Sequence, residues 1–474
     1  WIFPLRIFFK LVTFIYNLWL IRHVNIAIIG LVNVRFELLY STLINLSIQP
    51  FRRAYLSTKS HPTSVLQIRI KIVSYSIILS FLLGIMWYML PIDSHFAHEY
   101  PFCIGLYLFS VLLQTFVEPY YIYFQLNLKS TLKISIENVS VLAKYIFVYI
   151  LINSTDVGVL ICFSMSQIAK TKLDIPIDLL ISFTKQTIIK QILGECEKFI
   201  MTFFNILSIP QQGVYNVVSN FGSIITRCLF LPIEDSFYLY ISRTRKRCEK
   251  AIMETKLSIF KIQLEKIYSL LLYISLIIVT FGWPNASIVL TFYSGKKFVN
   301  NYPFSISIFQ MYIAYLPFLC INGITESYVF ASISSTNLDK YNVKLAKLSI
   351  IFIICNIVFG FLWLSHGLVL AGYLNMICRI IMGFQYIEEN LHYEKLNFFK
   401  RVMFGKHTTL VHIIVLIFLL INSFQIDTVS INLKIIIHCF LSGILLIMCL
   451  TYSYFTDDKL HGAFKQLGYI NINK

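Results

Sequence analysis

The chain alternates long apolar stretches with short polar ones, and the stretches have the length of a bilayer crossing. Clear apolar runs cover Ile72–Leu90, Ile104–Phe124, Ile267–Phe281, Leu348–Leu364, Leu410–Leu420 with its flanks, and Ile435–Tyr454. A helix of roughly 20 predominantly apolar residues spans the hydrocarbon core. Together with the less clean runs, they predict about fourteen spans. These start near residues 5, 34, 72, 102, 138, 157, 183, 214, 262, 304, 344, 366, 408 and 433. Backbone groups find no water inside a bilayer, so each span is expected to satisfy its own hydrogen bonds as a helix. The predicted class is an all-α polytopic membrane protein.

The pattern also repeats. Gly30-Leu31-Val32-Asn33-Val34 returns as Gly213-Val214-Tyr215-Asn216-Val217. Ser41 with the later Pro50-Phe51-Arg52-Arg53-Ala54-Tyr55 returns as Ser223 with Pro232-Ile233-Glu234-Asp235-Ser236-Phe237. Glu118-Pro119-Tyr120 returns as Glu326-Ser327-Tyr328, and Gly158-Val159-Leu160-Ile161 as Gly367-Leu368-Val369-Leu370. The offsets are 183, 182, 208 and 209 residues, in one order with a single step. This predicts two pseudo-symmetric six-helix lobes, 1–180 and 181–390, followed by two further helices and a cytosolic tail in 391–474. Duplicated halves in a membrane protein point to a transporter built around a central site.

Composition agrees: 57% of residues are hydrophobic and 13% charged, against about 25% charged in soluble domains. The cations fall in alternate connections. One set includes Arg52, Arg53, Lys59, Lys129, Lys170, the run Arg243–Lys261, Lys340 and Lys400; the other holds Arg22, Lys296, Lys297 and Lys434. The positive-inside rule makes the larger set cytosolic, and both termini with it. The net charge of +17 is therefore topology, with some attraction to anionic membrane lipids. Cations dispersed among spans do not suit nucleic acid. The chain opens at Trp1 without an initiator Met, so a short preceding piece is expected; Trp1–Gly30 reads as the first span rather than a cleaved leader. The ten cysteines lie mostly in spans, as small buried hydrophobes. Asn153-Ser154-Thr155 and Asn285-Ala286-Ser287 are glycosylation sequons on the non-cytosolic side.

A charge at mid-bilayer costs about 2.5–3.5 kcal/mol, so each asks for a reason. Arg35, Arg227 and Arg379 are candidate anion-binding residues, because guanidinium donates bidentately to phosphate. Glu37, Glu118, Glu195, Glu197, Lys198 and Glu326 are candidates for lining a polar cavity, with Glu195 and Lys198 spaced i,i+3 to pair. Arg52 and Arg53 occupy repeat positions equivalent to Glu234 and Asp235, which suggests a cytosolic latch between lobes. The enzyme reading fares poorly. The outer loops are short, Asp93 stands with His95, His98 and Glu99 but without a second Asp, and Asp457-Asp458 reads as a solvated helix end. A phosphate-cradling Gly-rich loop is missing, so neither ATP nor another cofactor is expected, and no metal.

Several segments resemble a known family. Val32–Thr42 with Phe51-Arg52-Arg53-Ala54, Lys190–Phe203, Gln212-Gly213-Val214-Tyr215, Leu231–Tyr238 and Asn322–Glu326 are similar to the endoplasmic-reticulum proteins that translocate oligosaccharide-lipid in eukaryotes. The resemblance runs over nearly the whole chain and is most specific in 190–241. It implies the multidrug/oligosaccharidyl-lipid/polysaccharide exporter superfamily, with two six-helix lobes around a cavity and alternating access. The implied substrate is dolichol diphosphate carrying five mannoses and two N-acetylglucosamines, flipped from the cytosolic to the lumenal leaflet for N-glycosylation, which makes Arg35, Arg227 and Arg379 the diphosphate-binding candidates. The alternative is a non-transporting scaffold that works with other glycosylation proteins. One departure stands out: Lys170–Pro176 interrupts the sixth span, where the family has a longer span and cytosolic loop.

Overall fold

A computed structural model describes residues 2–50, 65–92, 94–126, 191–192, 194–248, 254–333, 335–391, 402–403, 405–423 and 433–457, with residues 188 and 460. Arg52, Arg53, Asp93, Asn153, the spans expected near 138 and 157, and the interruption at Lys170–Pro176 lie outside the described residues. Within them every regular element is a helix, and seven helical stretches are long and apolar enough to cross a membrane.

The chain divides into two compact units, Trp1–Asn216 and Val217–Lys474. In the first, α1 (Ile2–His23) leads to Asn25, whose side chain accepts the Ala27 N–H at 3.0 Å. That bond caps α2 (Ile26–Ser47) by satisfying one of the free donors at its start. α3 (Val65–Tyr88) and α4 (Tyr100–Leu126) pack on α2, where Phe36 stacks on Tyr100 and Tyr107. The short α5 (Cys196–Phe203) joins them, with Phe203 edge-on to Trp87.

The next helix, α6, comprises Ile209–Ile225, Thr226–Phe230 and Leu231–Cys248; it starts in the first unit and continues in the second. Its first turns cross α2 backbone to backbone. A Cβ on Gly30 would run into the Ile209 carbonyl, and one on Gly213 into the Ile26 carbonyl. Gly30 and Gly213 are 183 residues apart, as are Ile26 and Ile209, so the repeat's two Gly-x-x-Asn segments meet reciprocally. Only glycine permits so close a crossing.

In the second unit α10 (Phe304–Ser332) packs on both α6 and α7 (Glu254–Gly282), with two short helices, α8 (Ala286–Ser294) and α9 (Lys296–Asn301), between α7 and α10 in sequence. Their core holds Phe230, Phe237, Leu264, Tyr268, Leu316 and Ile324. α11 (Ser335–Leu391) is two arms. Trp363 and Leu364 leave helical geometry, Leu364 at φ 52°. A Cβ on Gly367 would strike the Phe359 carbonyl. Residues eight apart in a straight helix are about 12 Å apart, so the chain doubles back here, as expected for separate spans near 344 and 366. The second arm runs alongside α10: the Tyr373 hydroxyl donates to the Met311 carbonyl at 2.6 Å, and Ser307 bonds His366 at 2.8 Å.

α12 (Lys406–Ser423) and α13 (Leu433–Thr456) pack together and against α7. Asp457 departs from the solvated role expected of it. It is buried, and its carboxylate accepts the Gly405 N–H at 2.8 Å and the Thr408 hydroxyl at 3.4 Å. It thus satisfies donors at the start of α12, where a helix terminus favours negative charge.

Candidate functional site

The two repeat-equivalent helices α2 and α6 each contain a widened turn. In α2 it is Leu31–Phe36, and in α6 Thr226–Phe230. A π-turn shifts the hydrogen bonds to i→i−5 and frees carbonyl oxygens that must find other donors. Each turn carries one of the candidate arginines, Arg35 and Arg227.

Arg35 is fully buried. Its own carbonyl accepts the Trp87 indole N–H at 3.1 Å. Its guanidinium donates to the Pro91 carbonyl at 2.6 Å through Nη1 and to Asn205 Oδ1 at 3.2 Å through Nη2. Asn205 holds φ at 48°, a left-handed conformation that Asn tolerates. Arg35 thereby ties α2 to the connections that follow α3 and α5.

Arg227 is exposed. Its Nη2 donates to the Asn220 carbonyl at 2.8 Å and to Ser223 Oγ at 2.9 Å, and Nε to the Ser223 carbonyl at 3.4 Å. The guanidinium therefore lies along its own helix, next to the widened turn, where Asn220, Ser223 and Arg227 fall on one face. On a neighbouring face Phe221 stacks on Tyr293 at 4.0 Å between centroids.

The third arginine is paired. Arg379 Nη1 meets Glu326 Oε1 at 3.0 Å, bridging the second arm of α11 to α10. Both side chains are only partly exposed. The spacing of Glu195 and Lys198 delivers an ion pair at 2.9 Å. Glu197 accepts the Tyr215 hydroxyl at 2.7 Å. Glu37 is half-buried on α2. Glu118 lies in α4, and its side chain is outside the described residues, as is that of Asp235 in α6. Glu234 presses its carboxylate against Gly323 of α10, inside the second unit.

Sequence reasoning passed over Gln191. Its amide donates to Ser41 Oγ at 3.1 Å and Thr42 Oγ1 at 3.2 Å, and its oxygen accepts from Asn45. A glutamine inside an apolar run was the available signal. Trp87 and Asn205 offered none, because their partners are remote in sequence. The sequon residue Asn285 has its amide engaged with the Phe281 carbonyl at 2.8 Å and with Ser442 at 3.4 Å, and Ala286 beside it is fully buried. That is a structural role in the folded chain rather than an open glycan acceptor.

A family model described as Rft protein matches residues 3–173 and 174–466. The Man(5)GlcNAc(2)-PP-dolichol translocation protein RFT1 of Xenopus tropicalis is 31% identical over 434 residues, covering 81% of this chain and 80% of that protein. Its namesake in Mus musculus is 28% identical over 434 residues, with the same coverage. Among solved structures, lipid II flippase MurJ in an inward closed conformation matches with a TM-score of 0.65 at 13% identity, covering 96% of this chain and 98% of that one. At that identity the likeness concerns the fold. The match to the family model runs through both halves and nearly end to end, so this chain belongs to the Rft protein family.

Proposed function

We propose that this chain moves dolichol-diphosphate-linked heptasaccharide from the cytosolic to the lumenal leaflet of the endoplasmic reticulum membrane, supplying N-linked glycosylation. It does so as a multi-pass transporter rather than an enzyme, with both termini cytosolic and fourteen spans arranged as two six-helix halves plus two helices. The observation that carries this reading is family membership along the whole chain, together with the translocation named for its relatives. The flippase-like fold supports it. Helices made of apolar residues that nevertheless keep Glu37, Arg227 and the Glu326–Arg379 pair within them support it too, since such groups mark polar pathways.

Alternating access carries the polar head while the polyprenyl tail stays in lipid. Arg227 is the residue best placed to neutralise the diphosphate, because it is exposed and a guanidinium matches phosphate oxygens. Arg35 keeps a supporting part, holding α2 in register. Glu326–Arg379, Glu195–Lys198 and Glu197 hold polar groups in place within each unit. Arg52 and Arg53 with Glu234 and Asp235 are proposed as the cytosolic latch. For it to close, the Glu234 carboxylate leaves Gly323. The charge swap Arg52→Glu with Glu234→Arg is then expected to work better than either single variant.

The experiment is reconstitution of the purified protein alone in liposomes with labelled dolichol-linked heptasaccharide in one leaflet. Transfer to the other leaflet, absent for a dolichol-linked lipid with an unrelated head, supports transport. Folded protein that moves nothing contradicts it and favours a non-transporting role beside other glycosylation proteins.

A further inference from the structure

Among the seven apolar spans of the described residues, α2 is the most enclosed: 72% of its most apolar 18 residues are buried, against 39% or less in the other six. Its partly exposed positions include Asn33, Glu37, Tyr40, Ser41 and Asn45, with Ile28, Ile44 and Leu46 beside them. Asn33, Glu37, Ser41 and Asn45 recur every four residues and Tyr40 follows Glu37 by three, so the polar ones share one face. A span that buries its apolar sides and leaves a polar stripe uncovered faces water or a polar ligand rather than acyl chains.

The stripe has two parts. Toward its C-terminal end it is already satisfied: Ser41 and Asn45 bond Gln191, and the Tyr40 hydroxyl donates to Gln114 Oε1 at 2.6 Å. Farther up, Asn33 and Glu37 stand one turn apart, and among the described residues neither side chain has a hydrogen-bond partner. An ionised carboxylate within a span costs about 2.5–3.5 kcal/mol unless something compensates it.

The chemistry selects the ligand. A carboxylate repels phosphate and accepts short, strong bonds from hydroxyl groups. A carboxamide both donates and accepts, as a sugar hydroxyl does. Tyr40, pinned by Gln114, adds an aromatic surface on the next turn. On the transport reading above, we infer that Asn33, Glu37 and Tyr40 form a carbohydrate-recognition surface that binds hydroxyls of the glycan head, distinct from the residue that meets the diphosphate.

The test compares two lipids in liposomes containing the full chain: dolichol diphosphate bearing the heptasaccharide, and the same lipid bearing only the two N-acetylglucosamines. Losing hydrogen bonds to a charged acceptor is worth about tenfold or more, so Glu37→Ala is expected to slow the heptasaccharide lipid about tenfold while changing the disaccharide lipid less than about twofold. Glu37→Gln, which keeps an acceptor oxygen, is expected to recover most of the rate, and thermal melting checks that each variant folds. Equal slowing of both lipids overturns the inference and points to a bound cation instead. If the wild-type chain moves neither lipid, the transport reading has failed on its own, and the surface is judged by binding. Free heptasaccharide that protects Asn33→Cys from maleimide supports it, and unprotected labelling overturns it.

Discussion

Arg35 and Arg227 sit in widened turns of equivalent helices, yet their surroundings separate them. Arg35 has no exposure and spends its guanidinium on the Pro91 carbonyl and Asn205, while its backbone carbonyl is met by Trp87. Arg227 is exposed and lies along its own helix, on Asn220 and Ser223. The first arginine works as a tie between elements. The second keeps a charge where a ligand can reach it. The two arginines are 192 residues apart, off the 182–183 offset of the repeat, so each helix carries its own irregular turn at a different place, and the packing around each decides what its arginine does.

The sharpest way to break the comparison is stability. Arg35→Ala strips the Pro91 carbonyl and Asn205 of their donor in a buried place, and is expected to destabilise the protein by about 2–4 kcal/mol. Arg227→Ala is expected to stay within about 0.5 kcal/mol, as exposed substitutions do. Unfolding of detergent-solubilised variants measures both, and equal losses would erase the distinction. Next in size is the glycine crossing that anchors α6 on α2. Gly30→Leu and Gly213→Leu are each expected to cost about 1–3 kcal/mol by overpacking, and a neutral result in the same unfolding assay would mean the helices do not touch there. Trp87→Phe leaves the Arg35 carbonyl without its indole donor, an expected loss of about 1–2 kcal/mol. Smaller still is the Glu326–Arg379 pair, whose double-mutant cycle is expected to give about 1 kcal/mol of coupling. Glu195–Lys198, which joins the N-cap position of α5 to its first turn, should give about 0.3–0.5 kcal/mol.

Much of the helical layout was legible. Apolar runs located α3, α4, α7, α10, α12 and α13, because a bilayer imposes a length that hydropathy reveals directly. The repeat of Gly30 at Gly213 marked a real crossing, since a close backbone approach demands glycine at both sites. The local pair Glu195–Lys198 followed from helical spacing. What stayed hidden depends on contacts remote in sequence. Nothing along the chain says that Trp87 donates to Arg35, that Glu326 chooses Arg379, or that Asp457 turns inward to the start of α12. The widened turns were equally invisible, because apolar periodicity is too coarse to register one extra residue in a turn. Burial, which divides Arg35 from Arg227, is a property of packing rather than of the residue.

The most direct test of the central claim is the transfer rate of labelled dolichol-linked heptasaccharide in liposomes holding Arg227→Ala, beside wild type. The account predicts that transfer falls at least about tenfold while the melting temperature stays at the wild-type value. Transfer at the wild-type rate by Arg227→Ala would contradict it.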